Sequence, residues 1–99
     1  MIYEIRTYEI GPGNLAEVEK RYGEAYEYRK KYSPLTAFWH TEIGPLNEII
    51  HIWAYSDMNQ RMQVRDEARK KGIWPPPGGG NLITQETKIV MPSTFSPIQ

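Results

Sequence analysis

The chain has 99 residues, and its 12 basic and 12 acidic side chains balance to a formal net charge of zero. That length fits one domain with a modest core, and the balanced charge excludes a global positive field for nucleic acid or an anionic membrane. Because the chain has no cysteine and no apolar run near the roughly 20 residues of a membrane span, we expect a cytoplasmic protein with no disulfide and no membrane insertion.

Residues 2–10 are rich in Ile, Tyr and Thr that alternate with charges, which predicts a first strand. The strand stops at the turn signal Gly11-Pro12-Gly13. Asn14 then acts as a predicted N-cap with Glu17 three residues on, and apolar residues at helical spacing predict a helix to about residue 31. Three basic residues lie at the end of this helix, where positive charge interacts favourably with the negative pole of the helix dipole: Arg29, Lys30 and Lys31.

Two strand-like runs, residues 35–43 and 46–55, flank Gly44-Pro45 and predict a hairpin with a short turn. Asp57 is a predicted N-cap, with Gln60 in the box position, for a second helix that runs to about residue 70.

Residues 72–81 hold three prolines followed by three glycines and predict a loop, which Trp74 anchors as a partly buried aromatic. A last strand is predicted over 82–91, and residues 92–99 form an irregular tail. The order is strand, helix, strand, strand, helix, strand. This order predicts a single α+β domain over residues 1–99, a ferredoxin-like βαββαβ sandwich with one antiparallel four-stranded sheet, strands one and three in the middle, and both helices on one face.

The third strand is apolar on both of its alternating faces. One face carries the aliphatic residues Leu46, Ile50, Ile52 and Ala54, and the other carries Ile49, His51, Trp53 and Tyr55. A chain this short can cover one face with its own helices. We expect the aliphatic face to lie under the helices and the face with His51 to meet a second copy of the chain, which predicts a homodimer.

In the matching register of the first strand, Glu4, Arg6 and Tyr8 join the open face. The combination of an imidazole, a fixed cation and aromatic walls suits a small apolar or aromatic molecule with one anionic or enolic oxygen. Arg6 would hold that oxygen, Glu4 would orient Arg6, and His51 would move a proton. The remaining wall residues are predicted to be Tyr8, Trp39, Trp53 and Tyr55. Packing at a dimer interface is the competing interpretation of these aromatics.

No spacing of His and carboxylates indicates a metal site, and no phosphate-binding loop is present, so we expect no cofactor. Trp39 and His40 point to opposite faces, and the sequence leaves open which of them faces the site. The arginines at steps of four, Arg61, Arg65 and Arg69, share a helix face, which we interpret as solvated.

Three stretches together resemble the NIPSNAP family: Tyr3-Glu4-x-Arg6-Thr7-Tyr8, Trp39-x-x-Glu42-x-Gly44-x-x-Asn47 and His51-x-Trp53-x-Tyr55. The resemblance covers Tyr3 to Pro97. It implies a dimeric α+β barrel, in which two ferredoxin-like sheets face each other, in a superfamily that includes cofactor-free monooxygenases and haem enzymes. The insert PPPGGG after Trp74 departs from relatives, which look more helical there.

The leading functional hypothesis is a homodimer with an inter-sheet cavity for a small apolar or aromatic ligand, and a cofactor-independent oxygenase is the reaction class that the resemblance implies. The alternative is a non-catalytic dimeric interaction module, in which the same aromatics form only the interface. Haem binding through His51 or His40 is a third, weaker hypothesis.

Overall fold

The structure is a computed structural model that describes residues 1–72, 74, 76 and 82–99. Its elements follow the predicted order: β1 Ile2–Ile10, α1 Leu15–Arg29, β2 Leu35–His40, β3 Glu48–Tyr55, α2 Met58–Lys71 and β4 Leu82–Val90. The four strands form one antiparallel sheet in the order β2-β3-β1-β4. The predicted α+β class, the ferredoxin-like order and the central position of β1 and β3 are confirmed. The part of the prediction that falls on residues 73, 75 and 77–81 lies outside the described residues.

The connection between β2 and β3 is longer than the predicted turn, because β2 ends at His40 and β3 begins at Glu48. Gly44 and Asn47 adopt positive φ angles of 117° and 61° within it. Pro45 has no N–H to donate to a ladder, so the strands cannot continue up to it. The prediction of strands that meet at Gly44-Pro45 was therefore wrong.

The core lies between the sheet and both helices. One cluster joins Tyr8, Ile10 and Ile49 of the sheet to Val18 and Tyr22 of α1. A second cluster joins Trp53 and Tyr55 of β3 to Val64 of α2, with Tyr26 of α1 packed against it. The helices therefore cover the face of β3 that carries the aromatic residues.

The prediction of which face lies under the helices was wrong. Ile49, His51 and Trp53 are completely buried, whereas Ile50 and Ile52 on the opposite face are half-buried. Period-two spacing could not decide between two apolar faces. The aromatic face can lie inside because the polar atoms of Trp53 and Tyr55 find hydrogen-bond partners there, and because aromatic side chains bury more apolar surface than aliphatic ones.

The outer face of the sheet carries the aliphatic residues, with no covering element among the described residues. Ile5 of β1 lies opposite Ile52 of β3, and Trp39 of β2 lies opposite Ile50. Trp39 keeps 56% of its surface exposed. The uncovered face of this domain is therefore apolar along its middle.

Candidate ligand-binding site

A cavity of about 220 Å³ lies between the sheet and the helices. We call it the arginine pocket, because four arginines line it: Arg6 of β1, Arg29 of α1, and Arg65 and Arg69 of α2. Glu4 is the one acidic residue among its described lining residues. Aromatic side chains complete its wall, namely Tyr8, Tyr22 and Trp74. The lining has a surplus of positive charge next to aromatic surface, although the whole chain is neutral.

Arg29 is the most unusual residue of the pocket, since its side chain is charged and only 4% exposed. Its Cζ lies 3.7 Å from the ring centre of Trp53 and 4.8 Å from that of Trp74. Its Nη2 donates to the hydroxyl of Tyr55 at 3.0 Å, while its Nε is buried without a hydrogen-bond partner among the described residues. No carboxylate of the described residues pairs with it, and burial lowers the pKa of this guanidinium.

Glu4 is almost completely buried and is held by two arginines from different elements. Its Oε2 accepts from Nε of Arg61 at 2.6 Å, and its Oε1 lies 3.5 Å from Nη1 of Arg6. Arg6 also donates from Nε to the hydroxyl of Tyr8. A carboxylate this deep needs such partners, because an unpaired buried charge costs several kcal/mol. Glu4 therefore fixes Arg6 at the pocket wall and ties α2 to the sheet, while it acts on Arg29 only at longer range and forms no ion pair with it.

His51 is completely buried, and its Nδ1 accepts a hydrogen bond from Nε1 of Trp53 at 2.8 Å. The ring is therefore neutral with its proton on Nε2. That Nε2 has no hydrogen-bond partner among the described residues. Burial, with the nearby charges of Arg6 and Arg29, lowers the pKa of His51 to about 3. His51 is absent from the lining of the arginine pocket, and it lies behind Tyr8 at a ring distance of 4.9 Å.

Six of the residues suggested by the sequence come together on the inner face of the sheet: Glu4, Arg6, Tyr8, His51, Trp53 and Tyr55. The pocket lining includes Glu4, Arg6 and Tyr8. Trp53 and Tyr55 are absent from the lining, but they contact the guanidinium of Arg29. Trp39 does not join them, since it lies on the outer face. His40 faces α1 instead, and its Nδ1 lies 3.1 Å from Oε2 of Glu19.

The sequence interpretation identified Arg6 but missed the other three arginines of the pocket lining, Arg29, Arg65 and Arg69. Arg61, Arg65 and Arg69 were expected on a solvated face, but Arg61 pairs with Glu4 and Arg65 is a half-buried residue of the pocket lining. Arg69 also lines the pocket, yet 72% of its side chain is exposed, as expected. The thin apolar stripe of α2 gave no sign of this, because arginines beside a narrow apolar stripe can turn inward along their aliphatic stems. Arg29 carried a usable signal, since it lies seven residues after Tyr22 and therefore on the apolar face of α1.

Among the described residues, two further features are absent, namely a metal-ligand cluster and a membrane-crossing helix. No group of three or more His, Cys, Asp or Glu side chains could hold a metal ion there. Neither α1 nor α2 has the length and hydropathy that a membrane-crossing helix needs.

The fold and the inner pocket define a class of small α+β proteins with a ferredoxin-like sheet. A solved antibiotic biosynthesis monooxygenase superimposes with a TM-score of 0.72 over 94% of this chain and 99% of its own. The two sequences are 14% identical, so this likeness concerns the fold alone.

The chain belongs to the NIPSNAP family, whose sequence model matches residues 3–97. A NIPSNAP family protein from Agrobacterium tumefaciens has a TM-score of 0.87 at 28% identity, covering 99% of this chain and 98% of its own. The NipSnap homolog of Dictyostelium discoideum is 33% identical over 92% of this chain, and NipSnap homolog 1 of Danio rerio is 31% identical over 99%. The chain spans 42% and 36% of the length of these two relatives.

Proposed function

We propose that this protein binds a small organic anion with an apolar or aromatic body in the arginine pocket. The observation that carries the proposal is the buried guanidinium of Arg29, which has no carboxylate partner among the described residues and lines an open cavity. Charged side chains are almost never fully buried unless they are paired, so a bound anion is the partner that this site lacks. A planar guanidinium binds a carboxylate or phosphate through two parallel hydrogen bonds.

Each neighbour of Arg29 has a role in this proposal. Trp53 and Trp74 hold the guanidinium plane, and Tyr55 fixes one edge of it, so that little side-chain entropy is lost on binding. Arg6 supplies a second cation at the wall, and Glu4 positions Arg6.

In this proposal, His51 positions the indole of Trp53, which lies against Arg29. Its Nδ1 is occupied by Trp53, and its low pKa keeps the ring neutral, so it is a poor general base for a ligand in the pocket. The oxygenase hypothesis then rests on the resemblance to the superfamily, and the pocket by itself supports binding.

The homodimer remains part of the proposal, with its interface changed. The outer face of the sheet is apolar and uncovered, and the second copy that the family resemblance implies would cover it. The ligand site then lies inside each subunit, between its sheet and its own helices, and outside the seam between the two sheets.

Binding can be tested by calorimetry with phenylacetate as the charged probe and phenylacetamide as its neutral counterpart. We expect the parent protein to bind phenylacetate at least about tenfold more tightly, since a hydrogen bond to a charged group is worth about 1.5–3 kcal/mol. Arg29→Met should abolish this preference. Lys30→Met is the matched control, because it removes one cation at the next position from an exposed side chain that pairs with Glu27.

Equal binding of the two probes would contradict the proposal, as would an Arg29→Met protein that stays folded by circular dichroism and still prefers the anion. Native mass spectrometry of the purified protein is the companion measurement. It should show a bound anion that Arg29→Met protein lacks and Lys30→Met protein keeps.

A further inference from the structure

A second cavity of about 180 Å³ lies next to the arginine pocket, between α1 and β2. We call it the apolar cavity, because its wall is formed mainly by Tyr26, Leu35 and Phe38 together with Tyr22 and Trp74. Its one charged lining residue among those described, Glu19, is already in contact with His40 at 3.1 Å. This cavity therefore offers apolar surface without a strong site for a charged group.

The two cavities share two wall residues, Tyr22 and Trp74. Their rings meet edge to face, with centres 5.1 Å apart and planes at 79°. Trp74 also covers Arg29 on the side of the arginine pocket, at 4.8 Å. The indole of Trp74 and the phenol of Tyr22 thus border both a cationic cavity and an apolar one. A ligand that occupied both cavities would need a change of side-chain rotamer at this contact.

We propose that the two cavities form one site for an amphiphilic anion, whose charged group is held by Arg29 and Arg6 and whose apolar chain passes between Tyr22 and Trp74 into the apolar cavity. This inference rests on the proposed function and names the ligand class more closely. It distinguishes an alkyl carboxylate or similar amphiphile from a compact anion that would fill the arginine pocket alone.

Gly23 provides a way to block the apolar cavity without touching the arginines. It lines that cavity, on the same helix face as Glu19, Tyr22 and Tyr26. A Cβ built at Gly23 meets no atom within 4 Å, so a side chain can begin at this position without displacing the backbone. Gly23→Leu should therefore fill part of the cavity, and Gly23→Ala is the matched control that changes the helix but leaves the volume open.

The test measures binding of butanoate, hexanoate and octanoate by calorimetry, each below its micelle concentration. In the parent protein, we expect Kd to fall about fourfold for each added methylene, the factor that burial of a CH2 group supplies. With Gly23→Leu, octanoate should bind about tenfold more weakly or worse, while butanoate changes by less than about twofold. Gly23→Ala should behave as the parent does.

The outcomes separate this inference from the proposed function. If the parent binds butanoate and octanoate equally well, the amphiphile inference fails and anion binding stands. The inference also fails if Gly23→Leu weakens both carboxylates alike or neither of them. If no carboxylate binds, or if Arg29→Met binds all three as the parent does, the proposed function itself fails and takes the inference with it.

Discussion

Arg29 shows how a folded domain can bury a positive charge without a carboxylate. Two indole faces and one phenol hydroxyl surround its guanidinium. A cation held over an aromatic ring in a dry site gains about 2 kcal/mol, which offsets part of the cost of removing it from water. The remaining cost is retained in the free protein. The anion proposed for the pocket would recover that cost, which is why the buried Arg29 supports the binding proposal.

His51 should make the free energy of unfolding depend on pH. Its pKa falls from the ordinary 6.5 to about 3 on folding, so between these values the unfolded chain holds one more proton than the folded chain. The free energy of unfolding should therefore decrease by about 1.4 kcal/mol for each pH unit on acidification below about pH 6, through this residue alone. Urea denaturation at a series of pH values measures that slope.

His51→Gln is the control for this prediction, because the amide oxygen can still accept from Trp53 and the side chain does not titrate. The slope of the variant should be smaller than that of the parent by the amount stated above. Parallel slopes for the two proteins would show that the imidazole is protonated as readily in the folded state as in the unfolded one.

At the level of single elements, the two helices begin differently. Asp57 caps α2, since its Oδ1 accepts from the backbone N–H of Gln60 at 2.8 Å, and the Gln60 side chain accepts in return from the N–H of Ser56. The bond from the Gln60 N–H to Asp57 is the cap that the sequence predicts. The Gln60 side chain reaches the N–H of Ser56, one residue before the N-cap, whereas in a capping box it would reach the N–H of the N-cap itself. Asn14 occupies the corresponding place before α1 but makes no capping hydrogen bond with its side chain. Asn14 therefore lies at the predicted N-cap position of α1, but its side chain does not make the predicted capping hydrogen bond.

Alanine substitution at the two N-cap positions should lower the free energy of unfolding by unequal amounts. Asp57→Ala should lower the free energy of unfolding by about 1 kcal/mol, whereas Asn14→Ala should lower it by only a few tenths. Chemical denaturation of the two single variants side by side measures this difference. Equal losses would mean that the Asn14 side chain caps α1 in solution.

Gly23 is a weak point within α1. It lies in the middle of the helix, where glycine is less favourable than alanine by about 1 kcal/mol, and its position has free space for a methyl group. Gly23→Ala should therefore raise the free energy of unfolding by about 0.5–1 kcal/mol. Thermal unfolding checks this, and a lower melting temperature than the parent's would show a hidden contact at this position.

At the scale of the whole molecule, the proposed dimer depends on the outer face of the sheet. Ile52→Asp places a charge in the middle of that face, beside Ile5, and should turn the proposed dimer into a monomer. Met62→Asp on α2 is the matched control, since this side chain is 47% exposed. Light scattering coupled to size exclusion measures the mass. A parent protein that is monomeric at high concentration would contradict the proposed interface.

The fold could be predicted from the sequence because its signals are local. The turn signal at Gly11-Pro12-Gly13, the helical spacing after Asn14 and the alternation in β3 each specify one element, and the order of elements then fixes the sheet. The orientation of the sheet could not be predicted in this way. Both faces of β3 are apolar, and the choice between them depends on tertiary contacts with Tyr22, Tyr26 and Val64.

The candidate site was predictable only where strand alternation placed residues together. Glu4, Arg6 and Tyr8 share a face because they alternate along β1, and pairing brings them next to β3. Arg29 and Arg65 come from two helices. The spacing of seven residues from Tyr22 places Arg29 on the apolar face of α1, but neither helix pattern shows which strands the two arginines meet. Their inward orientation follows from how far each helix covers the sheet, which is a property of the packed molecule.

The central position of β1 has a consequence for how the chain folds. Its two neighbours are β3 and β4, so Tyr3 pairs with Ala54 on one side and with Val90 on the other. A growing polypeptide can pair β1 with β3 first, but the other edge of β1 stays open until residues 82–90 have left the ribosome. Contacts of such long sequence separation slow folding and expose the unpaired strand to aggregation. We therefore expect synthesis stalled before β4 to yield chains that need chaperones.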